Sequence, residues 1–244
     1  FKTDDPGDVV QYIAAHDNLT LHDVIAQSIK KDPKDHAEEI HQRIRLGNLI
    51  VLTAQGTPFI HAGQEYGRTK QFRHEDYKGS VAEAPYKSTY MTDADGNPFE
   101  YPYFIHDSYD STDAINKFEW EKVTNSEQYP IHTTTRAFTK GLIELRRSTS
   151  AFSLDTREEI DQYVKKLNIP EIEEEDLVVA YQATDPDTAD QYYVFVNADN
   201  KARNLSLSDD ISDGDIIVAG DQAGIEKIDE PNGVTLTSSS IEIA

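Results

Sequence analysis

Tyr12-Ile13-Ala14-Ala15-His16-Asp17-Asn18 is the stretch whose reading decides the fold of this chain. A β-favouring run, Val9-Val10-Gln11-Tyr12-Ile13, leads into two small alanines; three polar side chains then stand together, and Leu19 to Lys30 has helical character. A rigid buried strand that opens into polar groups just before a helix is how α/β barrels build their active sites, at the C-terminal ends of the strands. A second reading of the same residues stands beside this one. Asp17 or Asn18 can simply cap the helix that starts near Leu19, accepting hydrogen bonds from its free N–H groups. Three residues do not separate the two readings, and the rest of the chain has to.

Composition narrows the classes. At 244 residues the chain holds one large domain or two medium ones. Its 37% hydrophobic content is low but sufficient for a core. The 45 acidic against 23 basic residues give a formal net charge of -22, a surface that repels phosphate backbones and argues against nucleic-acid partners. The absence of cysteine removes disulfides, thiolate metal sites and a cysteine nucleophile. No apolar run reaches the length of a transmembrane segment. Phe1 is neither an initiator methionine nor the start of a signal peptide, so a fragment or a processed product is expected.

Two regions follow different grammars. In residues 1–152, Asp35 with Glu38 reads as a capping-box start, and Ile40, Ile44 and Leu49 to Leu52 supply the apolar side of a helix ending before Gly56. Thr57-Pro58-Phe59-Ile60 reads as the next strand, giving a strand–helix–helix–strand alternation. Residues 68 to 130 are rich in Tyr, Asp, Pro and Gly without periodicity, as functional loops are. Helix returns at Arg136 to Arg147. Residues 153–244 read instead as short strands at 177–181, 192–196, 205–207, 216–218, 234–236 and 241–243, separated by turn signals such as Asp199-Asn200 and Asn232-Gly233. That pattern predicts an antiparallel β-sandwich. The predicted fold class is α/β plus all-β: the last part of a (β/α)₈ TIM barrel over 1–152, then the sandwich over 153–244.

The motifs carry a resemblance. His16-Asp17-Asn18 resembles the fourth conserved region of the α-amylase-type glycoside hydrolases. Gly63-Gln64-Glu65-Tyr66-Gly67-Arg68-Thr69-Lys70, after Thr57 to Ala62, is similar to the eighth strand and loop of type I pullulanases. Tyr109-Asp110-Ser111-Thr112-Asp113-Ala114-Ile115-Asn116 resembles the substrate loop of the same debranching enzymes, and Gly141 to Arg146 followed by Ala151-Phe152 resembles their last barrel helix. Order and spacing together make the resemblance specific, and they point to a Gram-positive, streptococcal cell-surface enzyme type.

That resemblance implies a retaining hydrolase of α-1,6 branch linkages in pullulan, glycogen and starch-derived dextrins, secreted or held on the cell wall. It makes Asp17 the third catalytic carboxylate, a residue that favours the distorted, oxocarbenium-like sugar rather than attacking it. His16, Asn18, Asp113, Asn116, Tyr109 and Tyr66 become the substrate-binding candidates, while Glu65 falls on a structural position. Retention needs two carboxyl groups roughly 5 Å apart. The family's pair sits on earlier strands, N-terminal to Phe1. The piece alone is therefore expected to be inactive and to need its N-terminal remainder as a partner, with an α-glucan as substrate. An α-1,4-acting amylase or transglycosylase relative and a non-catalytic α-glucan-binding module are the alternatives.

No cofactor or metal is predicted. Asp93-Ala94-Asp95-Gly96-Asn97 opens like a calcium loop, but its glycine comes early and position twelve is Phe104, so a tight turn is the better reading. Calcium elsewhere is left open, with no motif to indicate it. His36 and His41, five apart, suit paired metal ligation less well than a spacing of four.

Overall fold

The computed structural model describes residues 5–244. The chain divides into two compact units. One comprises residues up to Gln11, Asn48–Phe59 and Ala137–Ala244, and the other comprises Tyr12–Gly47 and Ile60–Arg136. This grouping does not follow the sequence boundary at 152/153, because the chain passes twice between the units before residue 60.

The elements of the first half run in the predicted order, with shorter strands. β1 (Val10–Gln11) pairs in parallel with β2 (Thr57–Pro58), Val10 opposite Thr57. The predicted strands over 9–13 and 57–60 shrink to this one ladder. The barrel is not closed among the described residues; closure needs strands paired on both edges. Between the strands lie α1 (Leu21–Ile29) and α2 (Pro33–Thr53).

α1 is capped by Thr20, whose side chain accepts from the Asp23 N–H, and ends at Lys30 in the left-handed region with φ 54°. Neither Asp17 nor Asn18 is its cap. α2 begins two residues before the predicted capping box. Asp32 accepts from the Lys34 N–H at 3.0 Å, ahead of Pro33 at the first helical position, where its missing N–H costs nothing. His36, with φ −127° and ψ 26°, interrupts the helix there.

The stretch over 68–130 is more regular than its composition suggests. β3 (Ser88–Thr92) and β4 (Pro98–Ile105) form an antiparallel hairpin with an irregularity between Tyr90 and Thr92. The Asp93–Asn97 run is its turn. The Asp93 carboxylate accepts from the Asp95 and Asn97 N–H groups and from the Asn97 amide, which is a turn's chemistry. Two short helices follow, α3 (Asp113–Asn116) and α4 (Trp120–Thr124), and then α5 (Pro130–Ser148), which starts at Pro130 rather than at the predicted Arg136. One apolar cluster holds much of this together: Ala14, Leu19, Leu21, Ala26, Ile40 and Ile44 with Met91, Phe99 and Phe104.

In the other unit, α6 (Arg157–Tyr163) starts with a full capping box between Thr156 and Glu159. β5 (Val164–Lys166), β6 (Val178–Thr184) and β7 (Gln191–Asn197) form a three-stranded antiparallel sheet in that order. β8 (Arg203–Ser206) pairs with β12 (Ser240–Ile243), which pairs with β11 (Val234–Leu236); β9 (Val218–Ala219) and β10 (Gln222–Ala223) make a small ladder of their own. Burial alternates along β6, with Val178 and Ala180 inside and Val179 outside, as a half-buried strand requires. Val178, Ala180, Leu205, Ile241 and Ile243 meet in one cluster that draws on both three-stranded sheets. The fold is thus mixed α/β with small antiparallel sheets.

Within this unit the C-terminal end of α2 is finished by an arginine. Arg146 on α5 donates to the carbonyls of Leu52, Ala54 and Gly56 at 2.9, 2.7 and 2.7 Å, satisfying acceptors that a helix end leaves open. Gly56 needs its positive φ of 94°, and a Cβ there would lie 2.8 Å from the Val9 carbonyl oxygen. No helix among the described residues is long and apolar enough to cross a membrane.

Candidate active site

The polar triplet leaves the β1 segment as an open turn. His16 Nε2 lies 3.4 Å from Asp17 Oδ1, and both side chains are about four-fifths exposed. Asn18 takes φ 59°, a left-handed conformation that asparagine tolerates better than most residues. That conformation turns its carbonyl toward Lys70, whose ammonium donates to it.

Lys70 is 2% exposed, and its Nζ also reaches Ser108 Oγ at 3.4 Å. Burial pulls its pKa below the ordinary lysine value, while the negative charges of Asp23, Asp107 and Asp17 pull it back up. The Lys70 backbone is anchored as well. Its N–H donates to Asp23 Oδ2 at 2.7 Å, and the fully buried Asp23 carboxylate also accepts from the Thr69 hydroxyl and from His22 Nδ1. A buried carboxylate with this many donors is a fixed point.

The loop that resembles the debranching motif stands on the other side of Lys70. Asn116 donates its side-chain amide to the Ser108 and Ser111 carbonyls at 2.7 and 3.1 Å. Lys87 bridges Asp107 and Asp110 at 2.9 and 3.3 Å. Arg68 donates to the Ile115 carbonyl at 3.2 Å. Tyr109 is 95% exposed, and Asp113 opens α3 with its side chain in the open. A continuous path of contacts therefore runs from Asn18 through Lys70 and Ser108 to Asn116.

Two predicted residues change role. Tyr66 is completely buried, its ring edge-on to Phe118 at 4.9 Å and its hydroxyl accepting from the Glu119 N–H at 3.1 Å. Its face is covered by protein, so it is a packing residue and not a sugar platform. Asn116 has committed its donors to folding the loop, leaving only its amide oxygen for a ligand. Glu65 accepts from the Gly63 N–H at 2.8 Å, a structural use in keeping with the sequence reading.

Sequence reasoning missed Lys70, Asp23, Arg68 and Lys87. Lys70 closes the Gly63–Lys70 motif, yet nothing in periodicity or composition marks a lysine as buried. His61 is a further neighbour of the triplet. It is half-buried, and its pKa is lowered chiefly by burial, then by the positive fields of Arg68, Lys70 and His16. Among the described residues no group of three or more His, Cys, Asp or Glu is arranged to hold a metal.

Comparison with known proteins gives the same direction throughout. The family described as SpuA C-terminal matches residues 163–244. Pullulanase A of Streptococcus pneumoniae is 53% identical over 253 aligned residues, which include all of this chain and 20% of that protein. The catalytic module of SpuA, described as a glycogen-degrading pneumococcal virulence factor in complex with an inhibitor, superposes with a TM-score of 0.96 at 52% identity, over all of this chain and 36% of that one. The pullulanase SAP of Group B Streptococcus, solved in complex with maltotetraose, gives 0.93 at 54%, over all of this chain and 32% of that one. The chain spans about a fifth of the length of these curated streptococcal pullulanases. It belongs with the streptococcal type I pullulanases, as a counterpart of the C-terminal portion of their length.

Proposed function

We propose that this chain is the C-terminal part of a retaining glycoside hydrolase that cleaves α-1,6 branch linkages in pullulan, glycogen and starch-derived dextrins. The observation that carries the reading is 53% identity to pullulanase A along the whole chain, with the His16-Asp17-Asn18 turn in the open and tied to the 109–116 loop. On this reading residues 1–152 complete a (β/α)₈ barrel and residues 153–244 form its β-sandwich. β1 and β2 are two adjacent barrel strands whose outer edges pair with strands of an N-terminal remainder. Exposed apolar side chains at Val10 (53%) and Phe59 (42%) suit that role, since parallel sheets are normally covered on both faces.

The chemistry divides between the two parts. The nucleophile and acid/base come from the N-terminal remainder. Asp17 binds hydroxyls beside the reacting carbon and holds the ring in its flattened, oxocarbenium-like state, so its interaction is stronger in the transition state than in the ground state. His16, 3.4 Å from Asp17, donates to a hydroxyl of the same ring, and Asn18 sets the turn that presents both. Asp113, the Asn116 amide oxygen and the exposed face of Tyr109 hold neighbouring glucose units. A secreted or wall-anchored location suits such an enzyme.

The experiment is Asp17→Asn in the longer enzyme that carries this chain. Loss of one preorganised transition-state contact costs about 10²–10³ in rate, and turnover of pullulan should fall by at least that much with the fold unchanged. Near wild-type turnover would leave Asp17 without a catalytic role.

A further inference from the structure

Lys70 touches both halves of the candidate site, and it belongs to neither motif's chemistry. It is nearly completely buried, an expensive place for an ammonium unless the charge is used. One N–H goes to the carbonyl of Asn18, the left-handed residue directly after Asp17, and a second reaches Ser108 Oγ, at the root of the 109–116 loop. The backbone on which it stands is pinned by Asp23, which is buried and belongs to α1. The base of the lysine is thus fixed to the helix, and its tip is fixed to two segments far apart in sequence.

We infer that Lys70 is a positioning residue that sets the distance between the transition-state contact at Asp17 and the glucan-holding loop at 109–116. This rests on the function proposed above and deepens it. The Asn18 carbonyl receives a charge-assisted bond, stronger and more directional than a neutral one. Without it the left-handed turn loses the contact that offsets its strain, and Asp17 swings with the turn. The Ser108 bond is longer and weaker, and it acts only on the loop. The two arms therefore have different kinetic signatures: the Asn18 arm acts on turnover, and the Ser108 arm acts on the Michaelis constant.

The test uses the longer enzyme with pullulan as substrate and four forms: wild type, Lys70→Met, Ser108→Ala and the double variant. Lys70→Met should lower kcat about tenfold to a hundredfold, the cost of a small misplacement of a reacting contact, and should raise KM as well. Ser108→Ala should raise KM about twofold, one weak hydrogen bond's worth, with the larger part of its effect in KM. The double variant should match Lys70→Met, because the Ser108 arm has already been lost. Lys70→Arg, which keeps charge and donors, should recover most of kcat. A Lys70→Met enzyme with kcat and KM within twofold of wild type overturns the inference, as does strict additivity in the double variant. If Lys70→Met does not fold, Ser108→Ala decides the loop arm and Lys70→Arg the turn arm. An unchanged KM in the first, or an Arg enzyme as slow as Asp17→Asn, overturns the inference. Wild-type activity on pullulan and its loss in Asp17→Asn are measured alongside. Failure of those two sinks the functional reading, whereas their success with an indifferent Lys70 sinks only this one.

Discussion

Lowering the pH from 7.5 to 5.0 should loosen the unit built around His41. This ring is 1% exposed; its Nδ1 lies 2.8 Å from Thr135 Oγ1, and the rings of His132 and His22 stand 4.7 and 6.0 Å away. The buried Arg45 reaches the same threonine hydroxyl at 3.3 Å. Burial above all, then the positive fields of His22, His132, Arg45 and Lys122, lowers the His41 pKa to about 2. In the unfolded chain the same histidine takes a proton near its reference value of about 6.5. The folded pKa is therefore the lower one, the opened state binds more protons throughout the interval, and stability is lost as pH falls below about 6.5. One such group costs about 1.4 kcal/mol per pH unit, so about 2 kcal/mol is lost by pH 5.0. His132, whose pKa is lowered chiefly by burial, steepens the loss. The Asp185 carboxyl, held down mainly by the Thr149 hydroxyl, acts in the same direction only below about pH 4. Peptide-resolved hydrogen exchange across α2 in the longer enzyme, corrected for intrinsic rates, reads the opening free energy at the two pH values. His41→Gln should flatten the slope while keeping a partner for Thr135. Equal opening free energies at the two pH values, or an unchanged slope in the variant, would refute the reasoning.

Further outcomes follow from single contacts. Gly67→Ala should lower stability by about 2 kcal/mol or more, read as a fall in thermal midpoint, because φ is 75° and the new Cβ would lie 2.5 Å from the His41 ring; an unchanged midpoint would mean that the turn is looser than described. Asp113→Ala should raise KM for pullulan severalfold with kcat nearly constant, the mark of binding shared by ground and transition states. Asn116→Ala should raise KM further, since its amide also ties the loop to Ser108 and Ser111; equal effects would separate the loop's order from its binding.

Much of this was legible in the sequence, for reasons that can be named. The alternation in Val178 to Tyr181 and Tyr192 to Val196 predicts β6 and β7 because one face of each is buried. The spacing of Ile40 and Ile44 predicts α2 because both point into one cluster. The hairpin of β3 and β4 was hidden because its residues, rich in Tyr and Pro, alternate poorly, and several are buried on both faces. The starts of α1 and α2 were missed because Thr20 and Asp32 cap them, a choice made by local geometry over equally suitable neighbours. In the site, His16, Asp17 and the 109–116 loop were recognisable as motifs. Lys70 and Asp23 were not, because their importance lies in burial and in partners 52, 38 and 47 residues away. Tyr66 was misplaced for the same reason: an aromatic in a motif looks alike whether its face is open or covered.

The most direct test of the debranching assignment is the ratio of initial rates on pullulan and on unbranched amylose for the longer enzyme that carries this chain, with products resolved by size. The account predicts release of maltotriose from pullulan, little attack on amylose, and loss of the pullulan rate in Asp17→Asn. Comparable rates on the two polymers would contradict it, even with Asp17 essential to both.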